Sequence, residues 1–318
     1  MLKPPLRTRG PKDHMTRNST TILAALALVI ITAGTYAHIA VRNASFTEAT
    51  VLCPTARMPQ VTAEAAYVYD ITKGRAVFEK EGEAQLPLAS LTKLVTALVT
   101  VNTLPETKTV SISENALTPE GDSGFVPGES WEMKDLLAFT LMTSSNDGAR
   151  ALALAASNGS IDEFITKMNQ LVKTIGLSQT FFLNETGLDV SSSTAGAYGS
   201  ARDIALLLSH IYNHDEDVLS GSTQAANVYT SLSGITHTAE HTSSVAGEIP
   251  GELVVKTGFT DLAGGNLAVL AEVLPGRPVA IVVLGATRES RDTDVRALAT
   301  AARDALKREA LCAGTETP

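Results

Sequence analysis

The strand-like segments of this chain lie near the two ends of its folded part, with helical segments between them. Residues 65–69 and 76–79 flank a turn that contains Gly74, an arrangement typical of a β-hairpin. Apolar runs at residues 266–273 and 279–284, separated by a Leu-Pro-Gly-Arg turn, predict two further strands. This order predicts one mostly antiparallel sheet with a helical insertion, which is the α+β class.

Apolar residues recur with the period of an α-helix through the middle of the chain and again near its end. The predicted helices cover residues 91–101, 133–142, 147–156, 161–175 and 201–212, and a closing helix covers residues 293–311. The folded domain is therefore predicted at 61–313, followed by a short tail at 314–318.

Composition excludes one broad class of protein and disfavours another. Hydrophobic residues make up 44% of the 318 residues, so the chain can bury a sizeable core and is not disordered throughout. The net charge of −9 makes a nucleic-acid partner a poor candidate.

Residues 21–41 carry no formal charge and follow a basic segment. Residues 1–20 hold five basic residues and one acidic residue. A helix needs about 20 apolar residues to cross a bilayer, and a basic flank stays in the cytoplasm. We therefore predict a cytoplasmic tail at 1–20, a transmembrane helix at 21–41 and a linker at 42–60, with the acidic remainder outside the cell membrane. A signal peptide cleaved after Ala37 is the alternative, and would leave a secreted protein.

The two cysteines lie on either side of the predicted domain. A disulfide between Cys53 and Cys312 would close a loop of roughly 260 residues, which the exported location permits; two unrelated thiols are the alternative. Cysteines so far apart do not indicate a zinc site. His237 and His241 have the spacing of a metalloprotease motif, but their flanks lack the apolar helix that such a site needs, and we predict no metal.

Three short motifs carry candidate chemistry. In Ser90-Leu91-Thr92-Lys93, residues three apart share one helix face, so a desolvated Lys93 amine can act as the base for the Ser90 hydroxyl. Alone, this pattern is better explained by a capping serine with a surface lysine.

The second motif, Ser144-Ser145-Asn146, lies between two predicted helices, where a hydroxyl and an amide can point into one cleft. Ser113-Glu114-Asn115 has the same spacing, but we assign it to a turn. The third motif, Lys256-Thr257-Gly258, follows an apolar strand. Its glycine lets a ligand approach the backbone, and its ammonium and hydroxyl can meet a carboxylate.

The order of these motifs, spaced by 54 and about 110 residues, resembles that of the penicillin-recognising serine acyltransferases. Within them the chain is most similar to the D-alanyl-D-alanine carboxypeptidases, which are low-molecular-mass penicillin-binding proteins. The match covers about residues 65–300. The segments that carry it are residues 87–93, 136–137, 144–149, 182–188, 200–203 and 256–264.

The resemblance implies a β-lactamase-like, penicillin-binding transpeptidase fold: an antiparallel sheet flanked by helices, with a helical subdomain. It also implies site roles. Ser90 is the nucleophile, Lys93 the base and Ser144 a proton relay. Asn146 binds the substrate amide, Lys256 and Thr257 bind the terminal carboxylate beside Gly258, and the Ser90 and Phe259 amides form an oxyanion hole. No metal or organic cofactor is needed.

The implied function is removal of the terminal D-alanine from peptidoglycan stem peptides, with covalent inhibition by β-lactam antibiotics. Such an enzyme acts in cell-wall biosynthesis and cell shape. The alternatives are a D,D-endopeptidase that cuts cross-links, a class A-like β-lactamase in which Glu185 supports deacylation, and a silent wall-binding scaffold.

Two departures from the family pattern are Ser145, where glycine is common, and the short tail after Cys312, which leaves no room for a C-terminal β-domain.

Overall fold

A computed structural model describes residues 59–214 and 223–313. The predicted segments 1–20 and 21–41, most of the linker 42–60 and the tail 314–318 lie outside these residues. Within the described ranges, no helix is both long enough and apolar enough to cross a membrane.

The described residues contain twelve strands and six α-helices. The strands are β1 (Ala65–Asp70), β2 (Arg75–Lys80), β3 (Leu86–Pro87), β4 (Thr109–Ser111), β5 (Ser130–Glu132), β6 (Phe181–Phe182), β7 (Ala197–Gly199), β8 (Ala226–Thr230), β9 (Thr236–Glu240), β10 (Glu252–Thr260), β11 (Gly264–Leu274) and β12 (Arg277–Ala286). The helices are α1 (Thr92–Val101), α2 (Met133–Thr143), α3 (Asn146–Ala156), α4 (Ile161–Ile175), α5 (Ala201–His214) and α6 (Arg288–Ala313).

The main sheet has five strands in the order β10-β11-β12-β1-β2, and its neighbouring strands are antiparallel. The predicted hairpin and the two predicted late strands are therefore confirmed as parts of one antiparallel sheet. The sheet joins the two ends of the domain, because β1 pairs with β12 along its whole length, from Ala65 opposite Leu284 to Asp70 opposite Val279.

Side chains that alternate along the strands build two apolar cores, one on each face of the sheet. On one face, Tyr67 and Val282 join the core formed with α5 and with the helical subdomain α1–α4. On the other face, Val68 and Ile281 pack against the apolar stripe of α6. The predicted arrangement of a sheet flanked by helices, with a helical subdomain, is confirmed.

Helix α4 has the bounds that the sequence predicts for it, residues 161–175. The Ser160 hydroxyl accepts a hydrogen bond from the Glu163 amide and caps the first turn, as expected for a Ser-x-x-Glu sequence. Gly176 ends the helix in the left-handed conformation, with φ of 87°, which glycine adopts without steric strain.

Helix α6 begins at Arg288, five residues before the predicted start at 293. Thr287 caps it, since its hydroxyl accepts a hydrogen bond from the Ser290 amide. The first turn is entirely polar and therefore carries no apolar periodicity. Cys312 lies in the last turn, but Cys53 lies outside the described residues, so the disulfide stays a prediction.

The hairpin β8–β9 was not predicted as a pair of strands. It falls in a stretch rich in Ser, Thr, Gly and Ala at residues 219–247. Its strands are mostly exposed, and only His237 and Ala239 of β9 are buried, so the apolar alternation that identifies a strand is weak.

The α6 stripe provides a matched test of the second core. We expect Leu298→Ala, at a fully buried position, to lower the free energy of unfolding by about 2–5 kcal/mol, because it leaves a cavity beneath the sheet. Leu311→Ala, in the same helix but 72% exposed, should cost less than about 0.5 kcal/mol. Urea unfolding followed by circular dichroism measures both; equal losses would contradict this packing.

Candidate active site

Ser90 lies in a 3-10 turn, Ala89–Leu91, that leads directly into α1. The preceding Ala89 has φ of 48°, in the left-handed region, which costs a non-glycine residue free energy and is concentrated at functional sites. A hydrogen bond to β7 anchors the start of the turn, since the Leu88 amide donates to the Ala197 carbonyl at 3.0 Å. The scaffold therefore fixes the position from which the Ser90 hydroxyl projects.

The Lys93 side chain is buried, with 1% of the residue exposed, and is not the surface lysine of the alternative interpretation. Its Nζ lies 2.8 Å from Ser90 Oγ, 2.7 Å from Asn146 Oδ1 and 2.8 Å from the Thr186 carbonyl oxygen. Amide oxygens can only accept hydrogen bonds. A neutral amine therefore directs its two N–H bonds at Asn146 and Thr186, and its lone pair faces the Ser90 hydroxyl.

Burial lowers the pKa of Lys93 to about 7, whereas the nearby Glu185 carboxylate acts in the opposite direction. Burial disfavours the charged ammonium because the interior solvates it poorly. A pKa near neutrality provides both the neutral amine that accepts a proton and the ammonium that returns it.

The second motif occupies the junction between α2 and α3. Ser144 ends α2 in the left-handed conformation, with φ of 60°, and Asn146 opens α3. The Asn146 Nδ2 donates to the Glu120 carbonyl oxygen at 2.7 Å, which orients the amide so that its oxygen faces Lys93.

Ser145, which stands where the family commonly has glycine, is buried and serves the junction itself. Its hydroxyl accepts from the Gly148 amide at 2.9 Å and caps α3. It also lies 2.5 Å from the Ser123 hydroxyl. The departure from the family pattern is therefore accommodated inside the structure.

Lys256 approaches the same cleft from β10. Its Nζ donates to Ser144 Oγ at 2.8 Å and to the Thr257 carbonyl at 2.9 Å, and the side chain is buried. Burial, followed by the charges of Lys93 and Arg291, holds the pKa of Lys256 well below its usual value. Across the described ranges no carboxylate lies within ion-pair distance of it.

Gly258 lets β10 pack directly against the Ala89–Leu91 turn, which carries Ser90. A Cβ atom at this position would lie 2.8 Å from the Leu88 carbonyl oxygen and 3.2 Å from the Ser90 nitrogen. Only glycine permits this approach, which brings the Ser90 and Phe259 backbone close to one another. The Phe259 ring is 36% exposed and lies beneath the Arg288 guanidinium, 3.7 Å from the ring centroid.

The sequence did not predict several residues that shape this cleft. Arg291, in the polar first turn of α6, donates to the Gly258 carbonyl at 2.9 Å and to the Thr242 carbonyl at 3.1 Å. The Thr242 hydroxyl in turn contacts the Thr257 hydroxyl. No pattern in the sequence connects these residues, because they belong to different elements.

Asn266 is the missed residue that did carry a signal, since it is polar at the start of an apolar run. Its Nδ2 donates to the Pro87 carbonyl at 2.9 Å, and its Oδ1 accepts from the Gly285 amide at 2.9 Å. The buried amide thus ties the strand before Ser90 to both β11 and β12.

The structure brings the members of the three motifs to one cleft and leaves the competing patterns elsewhere. The residues linked there by hydrogen bonds or close backbone contacts are Ser90, Lys93, Ser144, Asn146, Lys256, Thr257, Gly258 and Phe259. Ser113 caps a short 3-10 helix. His237 lies on a strand and bonds Glu129 at 2.7 Å, and the described residues contain no cluster of metal-binding side chains.

Comparison with known proteins identifies the family. The family model of the D-alanyl-D-alanine carboxypeptidases matches residues 53–288. This chain belongs to the D-alanyl-D-alanine carboxypeptidase family. The D-alanyl-D-alanine carboxypeptidase DacF of Bacillus subtilis is 29% identical over 248 residues, which are 73% of this chain and 60% of that protein. The D-alanyl-D-alanine endopeptidase of Escherichia coli is 28% identical over 246 residues, covering 74% of this chain and 76% of that protein.

Solved structures share the penicillin-binding, transpeptidase-like fold. Penicillin-binding protein D2 of Listeria monocytogenes, in its ampicillin-bound form, is 29% identical with a TM-score of 0.64, and the match covers 77% of this chain and 98% of that one. A D-alanyl-D-alanine carboxypeptidase of Mycobacterium tuberculosis, at 21% identity and a TM-score of 0.69 over 79% of this chain and 93% of that one, shares the fold.

Gly187 packs against the Ala89–Leu91 turn that carries Ser90, and a substitution at Gly187 tests this contact. Its φ is +82°, and a Cβ would lie 1.9 Å from the Ala89 carbonyl oxygen. We expect Gly187→Ala to lower the free energy of unfolding by more than about 3 kcal/mol. The new methyl group would both disfavour the left-handed backbone and clash with the Ala89 carbonyl oxygen.

Gly128 is the matched control, because it has the same φ of +82° and a Cβ atom there would meet no other described atom within 4 Å. Gly128→Ala should cost only the backbone term of about 1–2 kcal/mol. Urea unfolding gives both values, and equal losses would show that Gly187 does not press on the Ser90 turn.

Proposed function

We propose that this protein is a serine-type D-alanyl-D-alanine carboxypeptidase that acts on peptidoglycan stem peptides through an acyl-enzyme on Ser90. The observation that carries the proposal is the contact between the buried Lys93 amine and the Ser90 hydroxyl, at 2.8 Å. The other two hydrogen bonds of this amine go to groups that only accept, which prepares its lone pair for the serine proton.

In the acylation step, Ser90 Oγ attacks the carbonyl carbon of the penultimate D-alanine while Lys93 accepts its proton. The backbone N–H groups of Ser90 and Phe259 stabilise the negative charge that develops on the carbonyl oxygen. When the peptide C–N bond breaks, the proton that Lys93 took from Ser90 passes to the leaving amine of the terminal D-alanine, and Ser144, bonded to Lys256 at 2.8 Å, is the relay. Water then hydrolyses the ester and restores Ser90.

The cations around the cleft support recognition of a free carboxylate. Lys256 and Arg291 are buried, and in the described ranges Lys256 has no acidic partner within ion-pair distance. A buried cation is costly unless an anion compensates it. A substrate that ends in a carboxylate, as a stem peptide does, supplies that anion beside the Thr257 hydroxyl, and the carboxylate of a β-lactam antibiotic can occupy the same place.

Family membership supports this activity. Because the chain spans about 60% of the length of its DacF relative, the activity of the whole relative comes to this chain as part of the proposal. A second candidate, D,D-endopeptidase activity on cross-links, is favoured by the endopeptidase relative of E. coli, in which the match covers 76% of the protein. Glu185 gives less support to a β-lactamase, since Arg150 binds its carboxylate at 2.5 Å.

We expect residues 42–318 to form a stable adduct with a fluorescent penicillin on Ser90, because the activated hydroxyl opens the strained lactam. Mass spectrometry of the labelled peptide should locate it, and Ser90→Ala should remain unlabelled while keeping the same unfolding midpoint. The unaltered protein should also release D-alanine from a pentapeptide that ends in D-Ala-D-Ala. Release of product from a cross-linked dimer alone would favour the endopeptidase. Rapid loss of the label would favour a β-lactamase, and a folded protein that takes up no label would favour a silent scaffold.

We propose further that residues 21–41 anchor the protein in the cell membrane, with its catalytic domain on the extracytoplasmic side. The uncharged stretch and the basic segment before it support this location. The protein extracted from membranes should have the intact mass of the 318-residue chain, apart from processing of the first methionine. A chain that begins after Ala37 would instead establish a cleaved signal peptide.

A further inference from the structure

A second layer of polar contacts lies one helical turn behind the catalytic residues. Lys93 on α1 and Asn146 on α3 form the first layer, where they share a hydrogen bond of 2.7 Å. Thr96 and Arg150, three and four residues further along the same helices, form the next. The segment that provides the Thr186 carbonyl to Lys93 also provides Glu185 to this second layer.

Glu185 is held firmly in this layer. Its backbone carbonyl accepts from the Thr96 hydroxyl at 2.7 Å, and its Oε1 accepts from Arg150 Nε at 2.5 Å. The side chain is fully buried, and its Oε2 has no hydrogen-bond partner in the described part of the chain. A buried carboxylate with an unsatisfied oxygen lowers the stability of the folded state. The fold therefore retains Glu185 at this place despite a cost in stability.

We propose that Glu185, held by Arg150 in the layer behind the nucleophile, is a positioning residue that acts on the reaction through Lys93. The proposal rests on the proposed function, because it concerns the base of that reaction. Glu185 does not touch the reacting atoms. It acts through the field of its carboxylate in an interior where water screens little.

The charged groups around Lys93 define the direction of the effect. Glu185 approaches it from the segment before Gly187, with its partner Arg150 on α3. Lys256 approaches from β10 and is itself affected by Arg291 of α6. Burial is the main cause of the lowered pKa of Lys93, and the Glu185 carboxylate is the group that raises it again toward about 7. Without that carboxylate, the amine would lose its proton at a lower pH.

The measurement is the rate constant for acylation by a fluorescent penicillin, followed from pH 5 to pH 9 on the full domain. In the unaltered protein the rate should rise with pH through a midpoint near the Lys93 pKa of about 7, because only the neutral amine accepts the serine proton. Glu185→Gln should move this midpoint down by about one pH unit, the size expected when a close opposite charge is removed. At pH 6 its rate, relative to its own plateau, should then be several-fold higher.

The double variant Arg150→Met with Glu185→Gln keeps the test valid if the single variant folds poorly, since it leaves no uncompensated buried charge. Its midpoint should lie between those of Glu185→Gln and the unaltered protein, because removing the Arg150 cation partly offsets the loss of the carboxylate.

Asp70→Asn is the matched control. The Asp70–Arg277 pair has nearly the same burial, 0% and 19% exposed against 0% and 22% for the Glu185–Arg150 pair. Arg277 begins β12, whereas Gly285, which bonds Asn266 beside the strand before Ser90, lies near its other end. These two positions are roughly 27 Å apart along an extended strand. This variant should lose stability but keep the midpoint of the unaltered protein.

The outcomes separate the two proposals. A lower midpoint in Glu185→Gln, absent in Asp70→Asn, supports the role of Glu185. An unchanged midpoint with only a lower plateau would overturn it and leave Glu185 as a structural residue, while the labelling of Ser90 would still support the proposed function. A protein that is folded but never labelled would instead overturn the proposed function itself.

Discussion

The amine of Lys93 lies in a water-poor site with three oxygen atoms around it, and the rest of the active site is arranged to maintain that contact. The Asn146 amide and the Thr186 carbonyl take its N–H bonds, which leaves the Ser90 hydroxyl as the third partner. The same burial that makes the amine a usable base near neutral pH also removes it from solvent, so other parts of the fold must hold its partners in place.

Each partner is fixed by an element distant in sequence. Asn146 is oriented by the Glu120 carbonyl, Thr186 lies in the segment whose Gly187 contacts the nucleophile turn, and Asn266 ties the strand before Ser90 to the centre of the sheet. Two non-glycine residues of the site, Ala89 and Ser144, adopt left-handed backbone conformations. The stability of the two cores compensates for this local strain.

Three basic side chains are buried at the site, where each positive charge disfavours the others. Lys93, Lys256 and Arg291 are all buried, and their charges oppose one another, since Lys93 and Arg291 both lower the pKa of Lys256. Two acidic groups that act on members of this cluster are already bound to arginines: Glu185 to Arg150 and Asp292 to Arg291. A carboxylate brought by a ligand therefore finds Lys256 without a competing acid from the described part of the chain.

The sequence by itself determined the class of the fold and predicted which side chains would meet at one site. Apolar periodicity identified α4 to the residue and placed both late strands, because these elements bury one side against a core. The order of the three motifs predicted a shared site for Ser90, Lys93, Asn146 and Lys256, and the structure brings these residues together. Only the tertiary structure decided what surrounds them: the Thr186 and Glu120 carbonyls, Arg291 and the Glu185–Arg150 pair. Backbone carbonyls leave no mark in a sequence, and a charge becomes a pKa shift only when folding removes water and sets its distance to another charge.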